Sequence, residues 1–265
     1  MESTRPIRAL MRGFDALTVL NLRDGATVSE VAQEIRLPRT TAYRILETLC
    51  TAGFALRDPD DDRYRPTPRV KGLSCGFADE PWVSQIAGPS LLELCREIVW
   101  PVSVATLAGN SMMLRETTDH TTPLAVERQS AGLRLPLLAS SAGRVYLASC
   151  PAAQCEGLLD QLARSNKEDD KLARTPRPDL LRTLAEIRSV GYATTTRTYR
   201  LVEEISLSAP VMAQDRLLAA LTVRFASSAV PLKSGIERFL PKLHRCAATI
   251  GGYFGEAAHG VAVTS

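Results

Sequence analysis

Apolar residues near the start of the chain recur at helical spacing. Ile7, Leu10, Phe14, Leu17 and Leu20 fall on or near one face of a helix over residues 6–21. After the break at "DGAT", Thr27 stands three residues before Glu30, the capping-box spacing that starts a helix. Val28, Val31, Ala32 and Ile35 make that helix's stripe. Pro38 suits the first turn of a third helix, where its missing N–H removes no bond. Ala42, Ile45, Leu46 and Leu49 are the buried stripe of this helix. Its other face carries Thr40, Arg44, Glu47 and Thr51. It ends near Ala52, with Gly53 suited to a left-handed cap.

The period then shortens. Phe54–Arg57 and Arg63–Thr67 read as two short strands around Asp-Pro-Asp-Asp-Asp, with Pro66 placing the second at an edge. Val70, Leu73 and Phe77 predict a helix over 67–79, which Gly72 and Gly76 weaken. It reads as a linker that pairs with a second subunit, or else as a loose connector. From residue 80 helix and strand mix. A helix over 81–98 precedes two strands around Gly109-Asn110, and "PLAVERQ" (123–129) reads as a further strand. "LRLPLLASSAGRVYLAS" runs from an extended piece into a helix beginning near Ser140. Helices over 151–164 and 178–190 flank a charged segment read as a solvated loop. "EISLSAPVMAQDRLLAALTVRF" is a strand pair, and 231–254 a closing helical region interrupted at Pro241.

Composition narrows the function. At 265 residues the chain has room for two domains. A net charge of +3 excludes a polybasic coat but not a local basic face. No run of apolar residues is long enough to span a membrane, and the first residues, with Arg and Asp inside their apolar part, do not read as a signal peptide. Six scattered cysteines without a CxxC pair fit a reducing, cytoplasmic compartment, most of them as small core residues. Three histidines far apart suggest no metal site, and nothing calls for a cofactor.

Three helices with a tight turn between the second and third, then a hairpin, follow the winged helix-turn-helix plan. On that plan the polar start of the third helix enters a major groove. Thr40 and Thr41 can donate to phosphates or touch a thymine methyl, and Tyr43 lies on the same exposed block. Arg44 can pair with guanine O6 and N7, worth about 1–3 kcal/mol of discrimination. Arg39, nearer the packed side, is better placed for phosphate. Arg57, Arg63 and Arg65 would give the wing its backbone or minor-groove contacts. Two other classes stay open. One is an enzyme, although no G-x-S-x-G, H-E-x-x-H, P-loop or dinucleotide motif is present and Asp119-His120 with Ser140 or Ser141 make an uninformative triad. The other is an adaptor or sensor that binds no DNA.

"VSEVAQEIRLPRTTAYRILETLCTAGF" followed by "RY" and a linker helix resembles the N-terminal domain of the IclR family of bacterial transcriptional regulators. "GLRLPLLASSAGRVYLA" and "GYATTTRTYRLVEEISLSAPVMAQDRLLAALTV" resemble that family's effector domain, in the same order. "GFADEPWVSQIAGPSLLELCREIVWPVSVATL" and "LRETT" look closest to activators of 3-hydroxyphenylpropionate and related aromatic-acid catabolism. The resemblance implies an α+β chain. A winged helix-turn-helix domain (1–66), a linker helix (67–79) and a GAF-like effector domain (80–265) would follow one another, the last an antiparallel sheet flanked by helices. It implies a homodimer or dimer of dimers on palindromic double-stranded operator DNA, a small carboxylate effector and, for an activator, contact with RNA polymerase. Two departures stand out. The hairpin turn "AQDR" lacks a glycine common in relatives, and Thr196 and Arg197 stand where some relatives carry an acidic pocket residue.

The effector site can be read partly from the residues. "ASSAG" puts the small Ser140, Ser141, Ala142 and Gly143, with free backbone N–H groups, at a helix N-terminus suited to a carboxylate. Family alignment places Ser141 and Ala142 at the edge of the site, with Ser206, Thr222 and Arg224 on facing strands. Thr222 and Arg224 alternate with Val223, so both project to one face. Arg224 is either a buried bidentate carboxylate clamp or a residue on an exposed sheet face. Leu107, Met113, Leu135 and Leu137 would supply the apolar wall. The effector expected is a small aromatic or phenylpropanoid carboxylate.

Overall fold

The computed structural model describes residues 6–23, 25–76, 80–165 and 168–260. The chain divides into two compact units, Met1–Ala78 and Asp79–Ser265.

The first unit is built from α1 (Arg8–Leu22), α2 (Val28–Glu34) and α3 (Arg39–Thr51), followed by the hairpin β1 (Ala55–Arg57) and β2 (Tyr64–Pro66). The capping box forms as spaced: the Thr27 N–H donates to Glu30 Oε2 at 2.8 Å, and the Glu30 N–H donates to Thr27 Oγ1 at 3.3 Å. Those bonds hold the Glu30 carboxyl below the usual carboxylate range, first through the Thr27 backbone and then, against partial burial, through the charge of Arg63. Pro38 sits one residue before α3, as its N-cap. Gly53 takes φ +75°, the left-handed cap its position suggested. Ala16, Leu20, Val31, Ala42, Leu46 and Tyr64 close the core. Ala26 and Tyr64 exchange backbone hydrogen bonds at 2.9 and 3.0 Å, which ties the wing to the α1–α2 connection.

Two expectations change in this unit. Only the C-terminal half of the α1 stripe is buried: Leu17 and Leu20 reach the core, whereas Ile7, Leu10 and Phe14 are exposed. The helix expected over 67–79 is regular only in α4 (Arg69–Gly72), with turns through residue 76. Gly72 and Gly76 have open space around them and no packing to offset their poor helix propensity. Residues 77–79, including Phe77, lie outside the described residues.

The second unit is a six-stranded antiparallel sheet in the order β5-β4-β3-β8-β7-β6. Its strands are β3 (Val102–Ala108), β4 (Ser111–Thr117), β5 (Arg134–Pro136), β6 (Ala193–Tyr199), β7 (Val202–Ala213) and β8 (Arg216–Ala226). Period-two alternation sorts two cores onto its faces. On one face Val102, Val104, Ile205, Leu207, Leu221, Val223 and Phe225 pack under a π-helical stretch (Trp82–Ala87), α5 (Gly88–Ile98) and α9 (Leu232–Gly260). There Phe225 stands edge-on to Trp100 and Phe239, at centroid distances of 6.4 and 5.2 Å. On the other face lie α6 (Ser141–Ser149), α7 (Ala152–Ala163) and α8 (Arg177–Val190).

This unit corrects three more expectations. Residues 123–129 are not a strand: Pro123 lacks a ladder donor, and the Glu127 carbonyl accepts a hydrogen bond from the Arg224 side chain at 3.0 Å. The charged segment before α8 is not wholly solvated. Glu168–Arg174 form a 3-10 helix whose Leu172 and Ala173 pack on the second core while Asp170 is buried. Pro241 does not interrupt the closing helix, because packing of Phe239, Leu243 and Ala247 holds α9 through it. At the β7–β8 turn, where the glycine is missing, Gln214 takes φ +52°. Gln214→Gly is expected to stabilise the unit by up to about 1 kcal/mol by removing that left-handed strain, visible as a higher urea midpoint at unchanged slope.

Candidate nucleic-acid interface and effector pocket

On α3, Arg39, Thr40, Tyr43 and Arg44 are exposed and Thr41 is half-buried, so the polar block at the start of the helix faces outward. Neither Arg39 nor Arg44 has a side-chain partner among the described residues. Thr41 and Arg44 border a groove of about 350 Å³ against α1, opposite Arg12. Glu47, on the same face but at the far end of the helix, is turned away: it accepts a hydrogen bond from the buried Tyr64 hydroxyl at 2.6 Å. Burial first, then the Glu47 carboxylate, raises the pKa of that phenol.

The wing differs from its reading. Arg57 pairs with Asp62 at 2.5 Å, and Arg65 pairs with Asp58 at 2.6 Å and Asp61 at 2.5 Å. Arg63 donates to Glu30 at 3.1 Å and to the Gly25 carbonyl at 3.0 Å. The aspartates of "DPDDD" therefore neutralise the arginines beside them. Arg63 is a brace between wing and capping box, not a free cation for phosphate.

In the second unit a cavity of about 150 Å³ opens between the sheet and the start of α6. Ser140 caps that helix: its Oγ accepts from the Gly143 N–H at 3.1 Å and donates to the Pro136 carbonyl at 2.6 Å. The N–H groups of Ser141 and Ala142 have no partner among the described residues, and both residues line the cavity. Gly143 does not; its N–H is used by the cap. A Cβ there would lie 2.2 Å from the Leu137 carbonyl oxygen, so its role is to let two backbones meet. Ser208 bonds both the Ser141 and Thr222 hydroxyls at 2.7 Å, a buried chain from helix to sheet.

Thr222, Arg224 and Ser206 all line this cavity, and Arg224 is buried, which closes the exposed-face alternative. The free clamp fails too. The Arg224 guanidinium is paired with Asp119 and, at 3.1 Å, with Glu204, and both carboxylates are fully buried. Arg197 on β6 joins the group through Glu204 at 2.9 Å and Glu127 at 2.7 Å. Burial opposes its charge, but the two carboxylates outweigh that and raise its pKa. Of the expected apolar wall only Leu135 borders the cavity; Leu107, Met113 and Leu137 do not. The sequence pattern did not reveal Ser103 and Gln129 as lining residues. Alternation could have found Ser103, a polar position between core Val102 and Val104. Gln129 lies on an irregular segment that carries no periodic signal.

Among the described residues there is no cluster of potential metal ligands, and no helix long and apolar enough to cross a membrane. The model for the IclR helix-turn-helix domain matches residues 9–59, and that for the bacterial transcriptional regulator IclR C-terminal region matches residues 77–251. The chain is 26% identical over 155 residues to SauR of Cupriavidus necator, described as a probable transcriptional regulator, covering 58% of this chain and 61% of that protein. It is 26% identical over 243 residues to the Pca regulon regulatory protein of Pseudomonas putida, covering 89% and 80%. The crystal structure of Thermotoga maritima IclR has the same fold, with a TM-score of 0.61 at 19% identity, covering 94% of this chain and all of that one. With a helix-turn-helix unit and an effector-type unit in this order, the chain belongs to the IclR family of bacterial transcriptional regulators.

Proposed function

We propose that the chain binds a palindromic operator as a homodimer or dimer of dimers and that a small carboxylate in the α6 cavity controls this binding. In this reading 1–66 is the DNA-binding domain, 67–79 the linker and 80–265 the effector domain. The observation that carries it is the contrast in charge partners. Arg39 and Arg44 on α3 are unpaired among the described residues, whereas Arg57, Arg63 and Arg65 pair with carboxylates of their own unit. Free guanidiniums at the polar start of a recognition helix are what base and phosphate contact require.

Fluorescence anisotropy on DNA from upstream of neighbouring genes tests the reading. Affinity should fall steeply with salt. Arg44→Ala is expected to lose about 1–3 kcal/mol of discrimination at one operator position. Arg39→Ala should weaken all sequences alike and lower the salt slope by about one. The absence of salt-dependent binding to any such fragment would overturn the regulator reading at this locus.

The exposed apolar face of α1, with Ile7, Leu10, Met11 and Phe14 each more than half exposed, supports a second copy of the chain as partner. The free Ser141 and Ala142 N–H groups support a carboxylate effector. The cavity volume suits one ring better than a ring with an extended chain. The likeness to activators of aromatic-acid catabolism supports activation, with contact to RNA polymerase; a promoter reporter separates it from repression. By linkage, an effector alters DNA binding only by the difference in its affinity for the two states.

A further inference from the structure

We propose that Gln129 reads the far end of the effector and that the effector is a monocarboxylate carrying one neutral hydroxyl or carbonyl oxygen, with dicarboxylates excluded. This rests on the effector reading of the same cavity. Gln129 is 6% exposed and lines the cavity, and its side-chain amide has no hydrogen-bond partner among the described residues. That amide opens into the cavity, where a ligand oxygen can replace the water that would otherwise satisfy it. Its place is fixed from two residues away. The Glu127 carbonyl accepts from Arg224 at 3.0 Å, and the Glu127 carboxylate pairs with Arg197 at 2.7 Å. Ser103 also lines the cavity, and its hydroxyl has no hydrogen-bond partner among the described residues.

Charge sets the ligand class. Arg197 and Arg224 are the charged residues lining the cavity, and both are committed to Asp119, Glu127 and Glu204. Three carboxylates already face two guanidiniums. One ligand carboxylate can take the free N–H groups of Ser141 and Ala142, but a second, at the Gln129 end, would meet no uncommitted cation. A neutral amide, donor and acceptor at once, matches a hydroxyl or carbonyl instead. A cavity of about 150 Å³ admits a single ring.

Isothermal titration of the full chain with benzoate, 4-hydroxybenzoate and benzene-1,4-dicarboxylate tests this. Wild type should prefer 4-hydroxybenzoate to benzoate by about tenfold or more and bind the dicarboxylate at least as much more weakly. Gln129→Leu and Gln129→Ala should lose the preference for the hydroxyl while keeping benzoate affinity within about threefold, with unchanged circular dichroism. Gln129→Lys, which supplies the missing cation, should raise dicarboxylate affinity by about tenfold. A preference unchanged in Gln129→Leu, or a dicarboxylate bound by wild type as tightly as the monoacid, overturns this proposal and leaves the effector reading standing. Failure of all three ligands to bind wild type overturns both.

Discussion

Replacing Arg224 by methionine is expected to destabilise the second unit by about 3–5 kcal/mol, several times the effect of a typical single substitution. The change removes the cation that Asp119 and Glu204 share and leaves two buried carboxylates facing each other, with Arg197 holding only one of them. An uncompensated charge in a low-dielectric interior must be protonated or hydrated, and either route opens the structure. It also frees the Glu127 carbonyl, which has no other described donor, and so loosens the segment that carries Gln129. Urea unfolding followed by tryptophan fluorescence isolates the effect, because Trp82 and Trp100 both belong to this unit. Adding Asp119→Asn and Glu204→Gln to Arg224→Met should recover most of the loss, since neutral amides are cheaper to bury than orphaned charges. A single variant that unfolds within about 1 kcal/mol of wild type, on the scale of an ordinary surface change, would show that the network contributes little to stability.

Gly143→Ala is the second large effect. In most helix interiors this exchange stabilises, and Gly157→Ala in α7, where a Cβ meets nothing within 4 Å, should gain roughly 0.5–1 kcal/mol. At Gly143 the new carbon would lie 2.2 Å from the Leu137 carbonyl oxygen and 2.4 Å from its Cα. Both are backbone atoms, so no rotamer change can relieve the overlap. The start of α6 must move off the sheet, at an expected loss of about 3 kcal/mol or more. That movement also breaks the Ser141–Ser208 bond and displaces the free N–H groups, so effector affinity should fall along with the unfolding midpoint. Equal midpoints for the two alanine variants would show that α6 does not press on Leu137 in solution.

Much of the first unit was legible because its signals are local. Thr27 and Glu30 are three residues apart, Pro38 precedes the helix that it starts, and the stripe of Ala42, Ile45, Leu46 and Leu49 repeats within two turns. Alternation in "LTVRF" likewise told that Thr222 and Arg224 share a face. The charges were less legible. Wing arginines look alike whether they meet phosphate or aspartate, and only the folded hairpin shows that Arg57 and Arg65 are answered within the wing. The segment 123–129 misled for a related reason: apolar content suggested a strand, but a strand needs a neighbour with free ladder groups, and in this fold the Glu127 carbonyl is bound to a side chain.

By itself, then, the order of residues determined the helix-turn-helix, the wing, the strand pair of the sheet and the small-residue start of α6, all set by spacings of a few residues. Only the tertiary structure decided what the charged and polar side chains do. Asp119 and Arg224 are 105 positions apart and become partners through the packing of an irregular segment against β8. Ser141 and Ser208 meet across 67 positions. Whether a guanidinium is free for a ligand depends on every charge brought within a few ångströms of it, and no local pattern encodes that sum.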